Sequence, residues 1–244
     1  VVSGNKYLIN TVEEHNLSYY NPERAIIVTA NYRFVSSSKI TCPYTQTMNT
    51  SWQWLSFPRL QRTGNDPVDA ISVLENLDPI PYNLLFYSNE EGNEQYIERF
   101  DGSWLPTSFN DILSTKGYKL NIQDQDTFTH TMYGADLEPN TLVPLYVQQN
   151  GNPENWIGYF LTIALEPEDA FVGVWDYLYE IKTQYWTMIK TSTGEWRRPP
   201  NVMPLEYGDA VIVKVSQNCT LCWNMVAEPA EEQEERSKTE FFSY

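Results

Sequence analysis

The sequence predicts a mainly β chain: two tandem antiparallel β-sandwich-like repeats, each with one short helix, plus an N-terminal β segment. Three observations lead there. Aromatic residues are abundant (Tyr 17, Trp 8), so strand formers outweigh helix formers. Short segments that alternate apolar and polar side chains are separated by turn residues. A set of landmarks also occurs twice in the same order. One helix per copy is too little to cover a parallel sheet, so the strands should pair antiparallel.

The duplication is carried by short stretches. Trp52-Gln53-Trp54-Leu55-Ser56-Phe57-Pro58 answers to Asn155-Trp156-Ile157-Gly158-Tyr159-Phe160-Leu161. Asp66-Pro67-Val68-Asp69-Ala70 answers to Glu166-Pro167-Glu168-Asp169-Ala170. Asp101-Gly102-Ser103-Trp104 matches Thr193-Gly194-Glu195-Trp196. Lys116-Gly117-Tyr118-Lys119-Leu120 matches Tyr207-Gly208-Asp209-Ala210-Val211. The spacing narrows from 102 residues at Trp54/Trp156 to 91 at Gly117/Gly208, as duplication followed by deletion in the second copy would leave it.

Residues 1–50 form the N-terminal β segment or cap. Ile26, Val28, Ala30, Tyr32 and Phe34 fall on one face of a strand, and Lys6–Ile9 is a shorter candidate. Residues 51–147 are the first copy. Trp52, Trp54 and Ser56 alternate with Gln53, Leu55 and Phe57, and Pro58 ends that strand. A helix should start at Asp66-Pro67, with Asp66 as N-cap and Ile71, Leu74 and Leu77 as its buried stripe. Strands are expected near Leu84–Tyr87, Tyr96–Phe100, Tyr118–Ile122 and Phe128–Met132, with hairpin turns at Asn89–Asn93 and Asp101-Gly102. Residues 148–226 are the second copy. Its helix starts at Pro167 and continues through Phe171, Val174, Trp175 and Leu178, and its strands lie at Tyr185–Lys190 and Ala210–Val215. Residues 227–244 are an acidic linker or tail.

A net charge of −16 repels phosphate and anionic lipid, which argues against nucleic-acid and membrane-surface partners. No apolar run reaches the roughly 18 residues of a membrane span. The chain opens without Met or a signal-like segment, and the expectation is a part of a larger chain. Cys219-Thr220-Leu221-Cys222 has no second pair to complete a zinc site. It reads as a strand pair or a local disulfide, with Cys42 apart.

Trp-Ile-Gly-Tyr-Phe, then Pro-X-Asp-Ala, then a Gly-X-Trp turn, then Gly-Tyr-Lys-Leu resembles a module, often in tandem, of large secreted and surface proteins of Bacteroidota, of the kind exported by type IX secretion. The likeness covers about residues 50–226, and Gly208-Asp209-Ala210 departs from its Gly-Tyr-Lys. It implies a secreted or cell-surface location and a non-catalytic role, and it carries over no catalytic residues.

The residues agree with that expectation. No nucleophile elbow, phosphate loop, dinucleotide fingerprint or zinc-protease motif is present. Asp69 and Asp169 are explained by helix capping, and Asp124-Gln125-Asp126 is half a calcium loop that lacks its glycine and distal glutamate. No catalytic residue, metal ligand or cofactor is therefore assigned. The sequons at Asn16, Asn49 and Asn218 would matter only in a eukaryotic host. The function expected is an interaction or spacer module that binds a glycan or a surface protein. The alternative is a fragment of a glycosidase or lyase acting through Asp or Glu. Trp54 and Trp156 read as core. Trp104 and Trp196 follow glycine turns, where a ring can stay exposed on a rigid support, and they are the candidate binding residues, one per copy. Two such sites would gain by avidity, and the acidic surface favours neutral glycans or cationic partners.

Overall fold

The computed structural model describes residues 44–49, 52–61, 66–105, 109–122, 127–147 and 150–223. Residues 1–43 of the N-terminal β segment, Cys42 among them, the Asp124–Asp126 turn and the acidic tail lie outside the described residues. The first copy runs β1 (Tyr44–Asn49), β2 (Gln53–Ser56), β3 (Arg59–Leu60), β4 (Val68–Asp69), α1 (Ala70–Leu74), β5 (Leu77–Asp78), β6 (Leu84–Glu90), β7 (Asn93–Phe100), β8 (Ser103–Trp104), β9 (Asp111–Ile112), β10 (Gly117–Ile122), β11 (Thr127–Met132) and β12 (Ala135–Asp136). The second runs β13 (Leu142–Leu145), β14 (Asn155–Gly158), α2 (Pro167–Ala170), β15 (Leu178–Lys182), β16 (Thr187–Lys190), β17 (Trp196–Arg197), β18 (Ala210–Val215) and β19 (Cys219–Cys222).

The chain is mainly β, and among the described residues every strand pairing is antiparallel. Each copy holds one five-stranded sheet, ordered β2-β10-β6-β7-β8 in the first and β14-β18-β15-β16-β17 in the second. Both are the same topology: the first strand at the edge, the last beside it, then the middle strands in order. A smaller sheet faces each one. In the first copy β11 lies between β1 and β5, and Phe128, Met132 and Leu77 share a core with Leu55, Phe57, Phe86, Ile97 and Leu120. In the second, β13 pairs with β19, and Val143, Leu145 and Leu221 pack against Ile181, Met188, Val211 and Val213. By these pairings the first copy takes in Tyr44–Asn49 and the second takes in Leu142–Leu145, ahead of the breaks at 51 and 148 read from sequence. Burying each such side chain contributes roughly 1.5–3 kcal/mol.

Several local expectations change. Helix α1 starts at Ala70 because Val68–Asp69 pairs with Asp111–Ile112 as a strand. Asp69, not Asp66, is the N-cap, accepting from Ser72 N at 2.8 Å. Its buried residues are Ala70, Val73 and Leu74. In the second copy Pro167 does open α2, but the helix stops at Ala170 and Leu178 begins a strand. The register also corrects the alignment of the copies. Trp54 faces Lys119 and Ser56 faces Gly117, while Trp156 faces Ile212 and Gly158 faces Ala210. With Trp54 set equal to Trp156, the counterpart of Gly117 is Ala210, and Gly208 matches Thr115. The hairpin turns are as expected: Glu91-Gly92 and Asp101-Gly102 both have two positive φ angles, the primed geometry that matches strand twist. Cys219 and Cys222 lie on β19 as free thiols, opposite Leu145 and Leu142. Three positions apart on a strand, they point to opposite faces and cannot bond to each other. Among the described residues no helix is long and apolar enough to cross a membrane.

The copies meet reciprocally. Ser56 N donates to Gly208 O at 2.7 Å, and its counterpart Gly158 N donates to Thr115 O at 3.0 Å. Leu55 bridges Asp209, and Ile157 bridges Lys116. Residue i touching j′ while i′ touches j is the signature of a two-fold relation. The glycines permit the approach. A Cβ on Gly158 would stand 2.7 Å from Ser56 Cβ and 2.8 Å from two carbonyl oxygens, and one on Gly117 would stand 2.8 Å from Ile157 O.

His130 is fully buried on β11 between Gln46 and Leu77, with its ring 5.2 Å from Phe57. Neither ring nitrogen has a partner among the described residues, and burial pushes its pKa down to about 4.

Two outcomes follow. Gly158→Val should destabilise the protein by about 2 kcal/mol or more in urea unfolding, because the added atoms meet backbone that cannot yield. His130 protonates more readily when unfolded, so the stability held above pH 6.5 falls as pH drops towards 4, by up to about 3 kcal/mol. In His130→Met that part of the pH dependence should vanish from a stability-against-pH series.

Candidate functional site

Trp104 and Trp196 occupy equivalent positions on β8 and β17, the outer edges of the two sheets. Both are half-buried, and each packs against the core of its own copy. Each also has a cation over its ring at 5.7 Å, Arg99 for Trp104 and Lys190 for Trp196. Trp196 also lies 4.8 Å from Trp175, and its buried Nε1 has no partner among the described residues. The two indoles are therefore covered on one side by protein and on another by a cation.

The recess is elsewhere. A groove of about 570 Å³ opens between the copies, lined by Trp52, Trp54, Lys182, Gln184, Tyr185 and Asn201 among others. It exists because of how β2 ends its sheet. As an edge strand, β2 presents backbone groups that no neighbouring strand takes up. Gln184 of the second copy meets them: Trp54 N donates to Gln184 Oε1 at 2.7 Å, and Gln184 Nε2 donates to Trp52 O at 2.9 Å. The loop that carries Gln184 is itself rigid. Thr183 Oγ1 accepts from Tyr185 N at 3.2 Å and Trp186 N at 3.3 Å, a local serine/threonine-type turn. Tyr185 stands out from it, 61% exposed, while Trp186 is buried beneath. Trp52 is 41% exposed and has its ring 5.3 Å from Tyr87.

Trp54 is not core, contrary to its sequence reading. The pleat sends Leu55 and Phe57 inward, so Trp54 faces out with Trp52. Lys119 Nζ lies 4.8 Å and Lys182 Nζ 5.3 Å from its ring centre. Trp156 is buried as expected, but on its sheet's outer side, under Lys119 at 3.9 Å, with its Nε1 donating to Glu154 Oε2 at 3.0 Å. Two tryptophans and two lysines thus form a cation–π cluster across the two-fold, where partial desolvation raises the worth of each contact. Desolvation lowers the Lys119 pKa, Glu94 and Glu154 oppose that, and Lys182 adds to it.

A smaller recess of about 120 Å³ adjoins the groove, shares Trp54, Gln184, Tyr185 and Trp186 with it, and adds Glu206 and Asp209. Burial pushes the Asp209 carboxyl up to about 6, against the hydrogen bond it accepts from Glu206 N at 2.8 Å. Among the described residues no three His, Cys, Asp or Glu side chains group to hold a metal ion.

The groove was hidden from sequence reasoning because its lining comes from both copies, around positions 52–54, 182–187 and 199–201. One signal pointed towards it: Trp52 and Trp54 are two apart on a strand and must share a face. No family model, no curated protein and no solved structure matches this chain.

The packing of Trp196 gives a clear expectation. Trp196→Ala should cost about 2–3 kcal/mol of unfolding free energy through lost contact with its core. Trp196→Phe should cost much less, because it also removes an unpaired buried N–H. Chemical denaturation of the two variants side by side checks this.

Proposed function

We propose that the chain is a non-catalytic interaction module of an exported, cell-surface protein, and that it binds oligosaccharides in the groove between its copies. One observation carries the reading: exposed Trp52 and Tyr185 line a groove together with Trp54 and with polar groups that include Gln184, Asn201 and Thr187. Aromatic faces stack on the C–H faces of sugar rings, and side-chain amides and hydroxyls both donate to and accept from sugar hydroxyls. The supports are rigid, so little ordering entropy is lost on binding. The resemblance to the tandem surface module of Bacteroidota favours export. This site takes the place of the pair of edge-strand tryptophans expected from sequence, since each of those rings has its own cation above it.

The test is titration of the intact chain with a panel of oligosaccharides, read by tryptophan fluorescence and calorimetry. Trp52→Ala and Tyr185→Ala should each weaken binding roughly tenfold, the worth of one stacked aromatic. The thermal midpoint should barely move, because both rings are exposed. Binding that survives loss of both rings would refute the site. Analysis of the same mixtures for shortened products addresses the enzymatic alternative. Cleavage that disappears in Asp209→Asn would replace a binding role with hydrolysis at the adjoining recess.

A further inference from the structure

We infer that the groove between the copies selects an acidic oligosaccharide, one whose sugar ring carries a carboxylate that seats on Lys182. This rests on the glycan reading of the same groove and goes against the preference for neutral glycans that the whole-chain charge suggests.

The groove's own charge is opposite to that of the protein. The chain carries −16 overall, yet none of the described residues lining the main groove is acidic, and its one charged lining residue is Lys182. Lys182 makes no ion pair within 4 Å among the described residues. Its ammonium lies over the Trp54 ring, and the second lysine on that ring, Lys119, sits nearby. An ammonium held against an indole keeps donors to spare, because a ring face accepts no full hydrogen bond. A carboxylate is the partner that such a group lacks. The two lysines also repel each other; Glu94 and Glu154 offset this at Lys119, and an anion seated on Lys182 relieves it further.

The remote carboxylates do not cancel the effect. At physiological ionic strength exposed charges beyond about 8 Å are largely screened, whereas a contact in a partly enclosed groove is not. Glu94 and Glu154 act on Lys119 at the Trp54 ring, and Glu206 and Asp209 line the adjoining recess, which gives the groove a cationic end at Lys182 and an acidic end. That polarity orients a ligand: the carboxylate goes to the Lys182 end, and sugar hydroxyls go towards Asp209 and Glu206. Trp52 and Tyr185 supply the stacking faces, and Asn201 and Gln184 the neutral polar contacts.

The experiment compares matched probes on the intact chain. An oligogalacturonate is set against its methyl-esterified form, which keeps the shape and removes the charge. Sialyllactose is set against lactose, which separates a terminal acidic sugar from an internal one. The expected result is at least roughly tenfold tighter binding of one acidic member over its neutral partner, the worth of one hydrogen bond to a charged group. The preference should shrink with added salt. It should be lost in Lys182→Met, which keeps the apolar stem on Trp54 and removes the ammonium. If acidic and neutral partners bind alike, or the preference persists in Lys182→Met, the inference is wrong while glycan binding stands. If no probe binds, the inference and the glycan reading fall together. The ester comparison on the unaltered protein decides the matter even if the variant does not fold.

Discussion

Everything in this molecule depends on the close approach of backbone at the two-fold between its copies. Gly158 lies against Ser56 and the carbonyls of Ser114 and Lys116, and Gly117 lies against the carbonyl of Ile157. No side chain fits at either glycine, so only the small Ser56 and Ala210 side chains stand at the junction of the two sheets. The reciprocal hydrogen bonds from Ser56 to Gly208 and from Gly158 to Thr115 then lock the end of each first strand to the opposite copy. Each edge strand is thereby tied into the other copy, which satisfies backbone groups that would otherwise invite association with other chains.

The two-fold is kept where it is structural and broken where a site can form. Gln184 and Asn89 are counterparts, each reaching across to the other copy's first strand. Gln184 makes two good bonds to Trp52 O and Trp54 N. Asn89 is one methylene shorter. It makes a single bond of 3.4 Å to Glu154 O, and its buried Oδ1 finds no partner among the described residues. The other counterparts diverge too. Glu154 stands where the first copy has Trp52, and it uses its carboxylate to hold Trp156 Nε1. Tyr87 stands where the second copy has Lys182. On one side of the axis the result is an indole, a tyrosine and a lysine around an open groove. On the other it is a carboxylate folded onto a buried indole.

Much of the fold was legible in the sequence because its signals are local. The apolar, β-branched run Ala210–Val215 gives the strand at its observed limits, and the two-residue turns at Glu91-Gly92 and Asp101-Gly102 follow from residues that tolerate positive φ. The order of landmarks exposed the duplication. What was not legible depends on contacts between segments distant in the chain. Whether Asp66-Pro67 or Asp69 opens the helix is decided by the pairing of Val68 with Ile112. Equating Gly117 with Gly208 on identity missed a slip of two residues that only strand register reveals. The position of Trp54 shows the same limit. Its strand looked apolar throughout, and which of its two faces is core is settled by the sheet packed against it.

Duplication in this chain creates a groove that neither copy holds alone. The first copy contributes an edge strand with two outward tryptophans. The second contributes a braced loop with Gln184 and Tyr185, and Lys182 at the end of its neighbouring strand. A single copy would leave β2 as an open edge and its indoles on a flat sheet face, with nothing to form a second wall. Fusion fixes the distance between the walls through reciprocal backbone hydrogen bonds together with the Gln184 side chain. The close contacts at the two-fold itself run through glycine and main chain, so substitution at Trp52, Tyr185 or Lys182 leaves them in place. Side-chain size at Gly117 and Gly158 is fixed by that close approach, whereas the exposed rings of Trp52 and Tyr185 take no part in it.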